Sequence, residues 1–315
     1  MTKKIAHVVG IDISKDQLDV ACSPTTNDQQ FPNCEVGHQA LVKWLGTIEL
    51  NRVIFEASGR YHNGLEHALS DANIPYVKAN ALYARRFSQS MGRRAKTDKI
   101  DAAMLAIMGA ALPLELSQPN SDVVEKLHAL VLAREALIKD RTAARNRSST
   151  LSQTILKRHN EQRLKQIERH LKALESECLA IIASDDELKR LFTIVSSIPG
   201  VGTTTAITML AEMPELGTMD KRQTAALAGL APMTRESGNW KGKSFIQGGR
   251  GKLRHALYMP ALVAIRHNPT LKAKYEDLIQ RGKPFKVAIT AIMRKLITIA
   301  NALIRDNRKW NEKAA

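Results

Sequence analysis

Aromatic residues are scarce in this 315-residue chain, only 4% of the total, although 44% of it is hydrophobic. The core must therefore be built from Leu, Ile, Val, Ala and Met, a palette that favours helices over an all-β sandwich. Cysteine is as sparse: Cys22, Cys34 and Cys178 lie far apart, with no CxxC pair and no histidine spacing suited to zinc. That excludes a disulfide framework, fits a reducing cytoplasm and leaves the three thiols as packing residues. No uninterrupted apolar run approaches a membrane span of ~20 residues. Asp12 and Lys15 arrive too early to leave room for a secretory signal. A cytoplasmic protein without a membrane partner is expected. A complete P-loop is also missing, since Gly238 to Ser244 is one residue short between its glycines.

Acidic charge is in deficit, and the deficit is local. The formal net charge is +16; residues 1–120 carry +1, residues 121–195 carry +3 and residues 196–315 carry +12. Such a field attracts a polyanion and makes binding salt-dependent, so the C-terminal part reads as a nucleic-acid surface rather than a merely solvated basic face.

Hydrophobic patterning divides the chain. Apolar stretches at Ile5–Ser14 and Leu18–Cys22, joined by a polar turn, predict an opening β-hairpin. Strands at Arg52–Glu56 and Pro75–Ala79 alternate with helical stretches at Gln39–Leu45 and His62–Ala72, and a further helix is expected over Lys96–Ala111. This is an α/β layer, placed at residues 1–118. Neither glycine nor proline occurs from Asp122 to Arg190, which predicts long helix over 119–190. Leu164, Ile167, Leu171, Leu174, Cys178 and Ile181 recur three and four residues apart, the seam spacing of a coiled coil or of a helix packed inside its own subunit. An antiparallel helical hairpin that pairs with another subunit follows from the first alternative. Residues 191–315 then mix short helices with Gly-rich loops and end in a long apolar-periodic helix at Lys286–Arg305.

Four carboxylates stand out. Asp12 sits in an apolar strand and Glu56 closes another, while Asp98 and Asp101 share one face of the first turn of a helix. A carboxylate in a buried strand is costly unless it is paired or bound to metal. Hard oxygen donors suit Mg²⁺ or Mn²⁺, and paired ions stabilise the attacking and leaving oxygens of phosphoryl transfer. Singly, Asp98 reads as a helix cap and Asp12 as a turn former; together they point to a metal site.

The segments Gly10-Ile11-Asp12-Ile13-Ser14-Lys15, Phe55-Glu56-Ala57-Ser58-Gly59-Arg60-Tyr61 and Lys96-Thr97-Asp98-Lys99-Ile100-Asp101-Ala102 resemble the three acidic motifs of the DEDD transposases of bacterial insertion sequences. The resemblance implies a RuvC-like, RNase H-type N-terminal domain in which Asp12, Glu56, Asp98 and Asp101 bind divalent metal.

In the C-terminal part, Gly200 and Gly202 open a helix in a turn suited to backbone contact with a phosphate, or to a plain tight turn. Farther on, Ser237 lies among Arg235, Lys241, Lys243, Arg250, Lys252 and Arg254. Cations neutralise a phosphate and a hydroxyl among them could contact or attack it; by chemistry alone Thr234 and Ser244 are equal candidates. The resemblance selects Ser237, since the serine of a Ser-Gly pair ahead of a basic Gly-rich segment is the family's nucleophile. It implies a covalent phosphoserine link to DNA, a structured guide RNA from the same element, and a homo-oligomer, dimeric or tetrameric on DNA. A RuvC-like nuclease or junction resolvase using water is the alternative activity. Trp240 reads as loop packing, Lys99 and Arg60 as solvent-exposed, and His7, His62 and His255 as solitary residues rather than general bases.

Overall fold

A computed structural model describes residues 6–25, 27–57, 59, 61–92, 98–238 and 240–311; the side chains of Asp98, Lys99 and Lys241 are outside the described set. Two compact units result, Met1–Pro119 and Asn120–Ala315.

The first unit is an α/β layer. Its strands are β1 (His7–Ile13), β2 (Gln17–Ser23), β3 (Gln29–Pro32), β4 (Leu50–Glu56) and β5 (Tyr76–Ala79), and its helices α1 (Glu35–Leu45), α2 (Asn63–Asp71), α3 (Ala81–Ser90) and α4 (Asp98–Ala111). The sheet order is β3-β2-β1-β4-β5. β1, β2 and β3 pair antiparallel, while β1, β4 and β5 pair parallel. Residues two apart along a strand face the same side of the sheet. Val9, Ile11, Leu18, Val20, Val53 and Phe55 accordingly share a core with Leu41 and Leu45 of α1 and Leu65 and Leu69 of α2. On the other face Val8, Ile54, Val77 and Ala79 meet Leu105 and Met108 of α4. The expected hairpin, strands and helices are present, and β3 and α3 are additions.

The second unit is mainly helical. Its long helices are α5 (Asp122–Ser148) and α6 (Thr154–Ser184), followed by α7 (Asp186–Ser196), α8 (Thr203–Glu212) and α9 (Lys221–Leu227). Four two-residue strands come next: β6 (Pro232–Met233), β7 (Glu236–Ser237), β8 (Trp240–Lys241) and β9 (Phe245–Ile246). The last helices are α10 (Gly251–Ala256), α11 (Tyr258–His267), α12 (Pro269–Gln280) and α13 (Phe285–Arg305).

Ser121 caps α5 by accepting from the Val124 amide, with Asp122 and Glu125 in the first turn and Arg145 and Arg147 in the last, matching the helix dipole at both ends. α6 runs back along α5: Asn160 donates to the Ala144 carbonyl at 2.9 Å, and Arg145 meets Glu168 at 3.1 Å. Of the expected seam, Ile167, Leu171 and Cys178 are buried within this chain, together with the neighbouring Ile182. The other seam residues, Leu164, Leu174 and Ile181, are half-buried. Leu127 and Val131 of α5 and Cys178 and Ile182 of α6 also join one core with Ile194, Met209, Ala261, Ile292 and Leu296, so residues 119–190 and 191–315 fold around a shared interior. At the centre is α13, long and apolar enough to cross a membrane by length and composition. Its buried face, from Ala288 to Ile304, marks it as the core helix of this unit.

Candidate active site

The carboxylates of the first unit are positioned by one missing side chain. A methyl group on Gly10 would collide with the Ala102 carbonyl and the Ala106 amide, so glycine lets the α4 backbone lie directly on β1. One turn farther along, Gly109 does the same against Val8 and Ile54, where a methyl group would come within 2.8 and 3.0 Å. α4 therefore runs back over β1, its C-terminal part above Val8 and its centre above Gly10. Its first turn, with Asp98 and Asp101, is directed toward the strand end that carries Asp12.

Asp12 is two residues beyond Gly10 and Glu56 two beyond Ile54, so both face the α4 side. Ile11 pairs with Phe55 in parallel register, which brings Asp12 and Glu56 to the C-terminal ends of adjacent strands. Asp12, Glu56 and Asp101 are all half-buried, and Asp12 and Glu56 both have interaction partners. All four carboxylates are hard oxygen donors of the kind a divalent cation takes. Among the described residues, however, no three His, Cys, Asp or Glu side chains are close enough to hold a metal ion, and the Asp98 side chain lies outside that set. The backbone brings the four positions to one end of the sheet; the described side chains do not form a closed ligand cage.

One carboxylate in this region was not singled out from sequence. Asp19 lies opposite Asp12 in the β1–β2 pair, is 7% exposed, and accepts from the Gln30 amide at 2.8 Å. Its alternation within Leu18-Asp19-Val20 is that of any outward strand residue; burial appears only once α4 covers that face.

In the second unit, Ser237 ends β7 opposite Trp240 in a tight hairpin, where Gly238 takes the left-handed conformation at φ 57°. Ser237 is exposed, as are Thr234, Arg235, Lys243 and Ser244. Arg235 also lies over the Phe245 ring, 4.8 Å from its centroid. Trp240 is 59% exposed, with its ring against Gly242. The side chains of Lys241 and Lys99, and Arg60 as a whole, fall outside the described residues.

The other basic residues are engaged internally. Arg250 forms a two-pronged pair with Glu215, both contacts at 2.6 Å, and donates to the Glu212 carbonyl that ends α8. Arg254 donates to the carbonyls of Gly229 and Gly248, at 3.2 and 2.9 Å. Gly229 and Gly249 press backbone to backbone beneath it, each at positive φ. The Gly-rich segment thus locks the loop against the end of α9, where the Arg250 amide donates to the Leu227 carbonyl at 2.8 Å. Lys252 lies 3.7 Å from buried Glu212 and 3.9 Å from Glu135. Burial alone would raise the Glu212 carboxyl, but the His128 hydrogen bond and the Lys252, His128 and Arg250 charges bring it below its ordinary value. Gly200, at φ 97°, packs against Pro260 and Ala264 of α11, whereas Gly202 opens α8 with free space where a side chain would stand. Of the two expected phosphate-facing glycines, only Gly202 is open.

With this geometry in place, similarity to known proteins identifies the chain's relatives. A DEDD transposase model of the IS110 type matches residues 9–160, and a model of the transposase IS116/IS110/IS902 family matches residues 192–276. The chain is 33% identical over 320 residues to a pilin gene-inverting protein of Moraxella bovis, covering 97% of this chain and 98% of that protein. The chain belongs to the DEDD transposase family. A second pilin gene-inverting protein, from Moraxella lacunata, is 34% identical over the same shares of both chains. The transposase of insertion sequence element IS1111A from Coxiella burnetii is 26% identical over 84% of this chain and 79% of its own. As a transposase it is a DNA-processing enzyme. The first matched region contains all four carboxylates, and the second contains Ser237 and its basic surroundings.

Proposed function

We propose that this transposase cleaves and rejoins DNA through a phosphoserine intermediate on Ser237, assisted by divalent metal, on sites selected by a structured RNA of its own element. The observation that carries the reading is the seating of α4 on Gly10, which directs Asp98 and Asp101 toward the strand ends bearing Asp12 and Glu56. The strand order β3-β2-β1-β4-β5, with the first three strands antiparallel, supports an RNase H-like assignment for this unit.

Asp12, Glu56, Asp98 and Asp101 would hold Mg²⁺ or Mn²⁺, which supplies charge neutralisation at the reacting phosphate. The Ser237 hydroxyl attacks phosphorus: a serine–phosphate bond forms, one phosphate–deoxyribose bond breaks, and the serine proton leaves as the departing sugar oxygen becomes a hydroxyl. Attack by the hydroxyl of the exchanged strand then reverses these steps and restores the serine. The phosphodiester energy is retained in the covalent link, so no nucleotide cofactor is required. Exposure of Ser237 at the end of a short hairpin, in a segment that also exposes Arg235 and Lys243, supports this role. The charge of +12 over residues 196–315 supports contact with DNA and with the guide RNA.

The test is to incubate the protein and Mg²⁺ with a plasmid carrying the element, denature, and map the protein–DNA adduct by mass spectrometry. A link at Ser237, lost with Ser237→Ala and with Asp12→Ala, is expected. Cleavage by Ser237→Ala at near wild-type rate would move the assignment to a water-using nuclease. A link at Thr234 or Ser244 would reassign the nucleophile while keeping the reaction.

A further inference from the structure

The turn that follows Asp12 and the loop that follows Glu56 are joined by one side chain that no motif contains. Asn33, between β3 and α1, donates from its amide nitrogen to the Ser14 carbonyl at 2.8 Å and to the Tyr61 carbonyl at 3.0 Å. Its main-chain N–H donates to the Asp16 carbonyl at 3.0 Å. Ser14 is two residues past Asp12, and Tyr61 is five past Glu56. The amide oxygen of Asn33 lies 2.8 Å from Nε2 of His38 on α1. Since both amide hydrogens of Asn33 point at carbonyls, its oxygen is the acceptor, and the His38 proton resides on Nε2.

His38 is itself fixed. It is 8% exposed, and its ring occupies the place where a side chain on Gly64 would stand, with Cε1 2.7 Å from that position. The chain thus runs from the α1 core through an imidazole to an asparagine whose oxygen accepts from that imidazole and whose amide nitrogen donates to two loops 47 residues apart. A half-buried asparagine whose amide hydrogens and amide oxygen all have protein partners holds the two loops at a fixed separation.

We propose that Asn33, oriented by His38, is a positioning residue that sets the spacing between the strand ends bearing Asp12 and Glu56. The inference rests on the reading of those two carboxylates as metal-binding groups. Neither Asn33 nor His38 touches substrate or metal in this scheme; both act through the loops they hold. Groups that hydrogen-bond a metal ligand directly change metal affinity by roughly 10–100-fold when removed, and a group acting one step farther out belongs at the lower end of that range.

Two readouts test it in the full-length protein. Hydrogen exchange followed by mass spectrometry reports the turn at Ser14 and Gln17 and the first turn of α2 at Leu65 and Glu66. Asn33→Ala and His38→Leu should accelerate exchange in both segments, with β4 and β5 unchanged, and His38→Gln, which keeps an N–H donor, should recover part of the protection. The Mn²⁺ concentration for half-maximal cleavage should rise about tenfold in Asn33→Ala while kcat at saturating metal stays within a few-fold. Exchange unchanged in either segment, acceleration throughout the first unit, or identical behaviour of His38→Gln and His38→Leu would each overturn the proposal. An unchanged Mn²⁺ midpoint would do so as well. Asp12→Asn is the separate control: full activity in that variant would remove the metal-binding reading, while the exchange data still decide whether Asn33 holds the loops.

Discussion

At single positions, the structure separates residues that build the transposase from residues left exposed on its surface. Gly10 belongs to the first group. Its α-carbon bears the α4 backbone directly, so Gly10→Ala must push helix from sheet rather than displace a flexible side chain. Overpacking of this kind costs about 1–3 kcal/mol, and a loss at the upper end of that range, read from urea denaturation, is the expected result. Arg254→Ala and Lys243→Ala should diverge in the second unit. The first removes a guanidinium from two loop carbonyls and should lower stability by about 1–3 kcal/mol. The second, at an exposed lysine, should leave the denaturation midpoint within ~0.5 kcal/mol of wild type. His38 carries a pH signature. Burial holds its imidazole below the ordinary value of 6.5, so on acidification the unfolded chain takes up the proton before the folded one. Stability should therefore fall as pH drops below about 6.5, toward the lowered folded-state pKa. Denaturation of wild type and His38→Gln at pH 7.5 and 5.5 should show that part of the acid sensitivity removed by the substitution.

Among the elements, legibility followed how far a local pattern reflects burial. Strands β1, β2 and β4 are rich in Val, Ile, Leu and Phe and were readable, as were β5, whose Tyr76, Val77 and Ala79 are buried, and α5 and α6 from an uninterrupted run without Gly or Pro. β3 was not, because Gln29-Gln30-Phe31-Pro32 offers one apolar side chain and gains its place by pairing with β2. α3 has no buried residue at all, so no periodic stripe advertises it. The acidic positions were visible because charge in an apolar strand is conspicuous. Asn33 and Asp19 were not, since a loop asparagine and an alternating strand aspartate acquire meaning only from their neighbours in space. The α6 seam shows the converse: spacing gave the buried face but not its partner. Its consequence is measurable, because Ile182, 3% exposed in the shared core, should cost about 2–5 kcal/mol when cut to alanine, in urea denaturation read at several protein concentrations.

For the whole molecule, the sign and placement of charge determine how it meets nucleic acid. The excess of +12 over residues 196–315 contrasts with +1 over residues 1–120, so the electrostatic part of binding should come from the second unit. Several cations there have partners within the chain. Arg250 and Lys252 face Glu215, Glu212 and Glu135, and Arg254 serves the loop, whereas Arg235 and Lys243 are exposed in the segment that carries Ser237. Each phosphate neutralised by such a cation releases counterions, giving a slope of about −0.9 in log K against log salt for duplex DNA. Full-length protein titrated with labelled duplex at several salt concentrations should bind more weakly as salt rises. Lys243→Ala should flatten that slope by about one and weaken all sequences alike, the mark of a phosphate contact. Lys252→Ala, whose ammonium lies between Glu135 and Glu212, should leave the slope unchanged while lowering stability. A slope that responds to Lys252 and ignores Lys243 would place the nucleic acid on a different face of this unit.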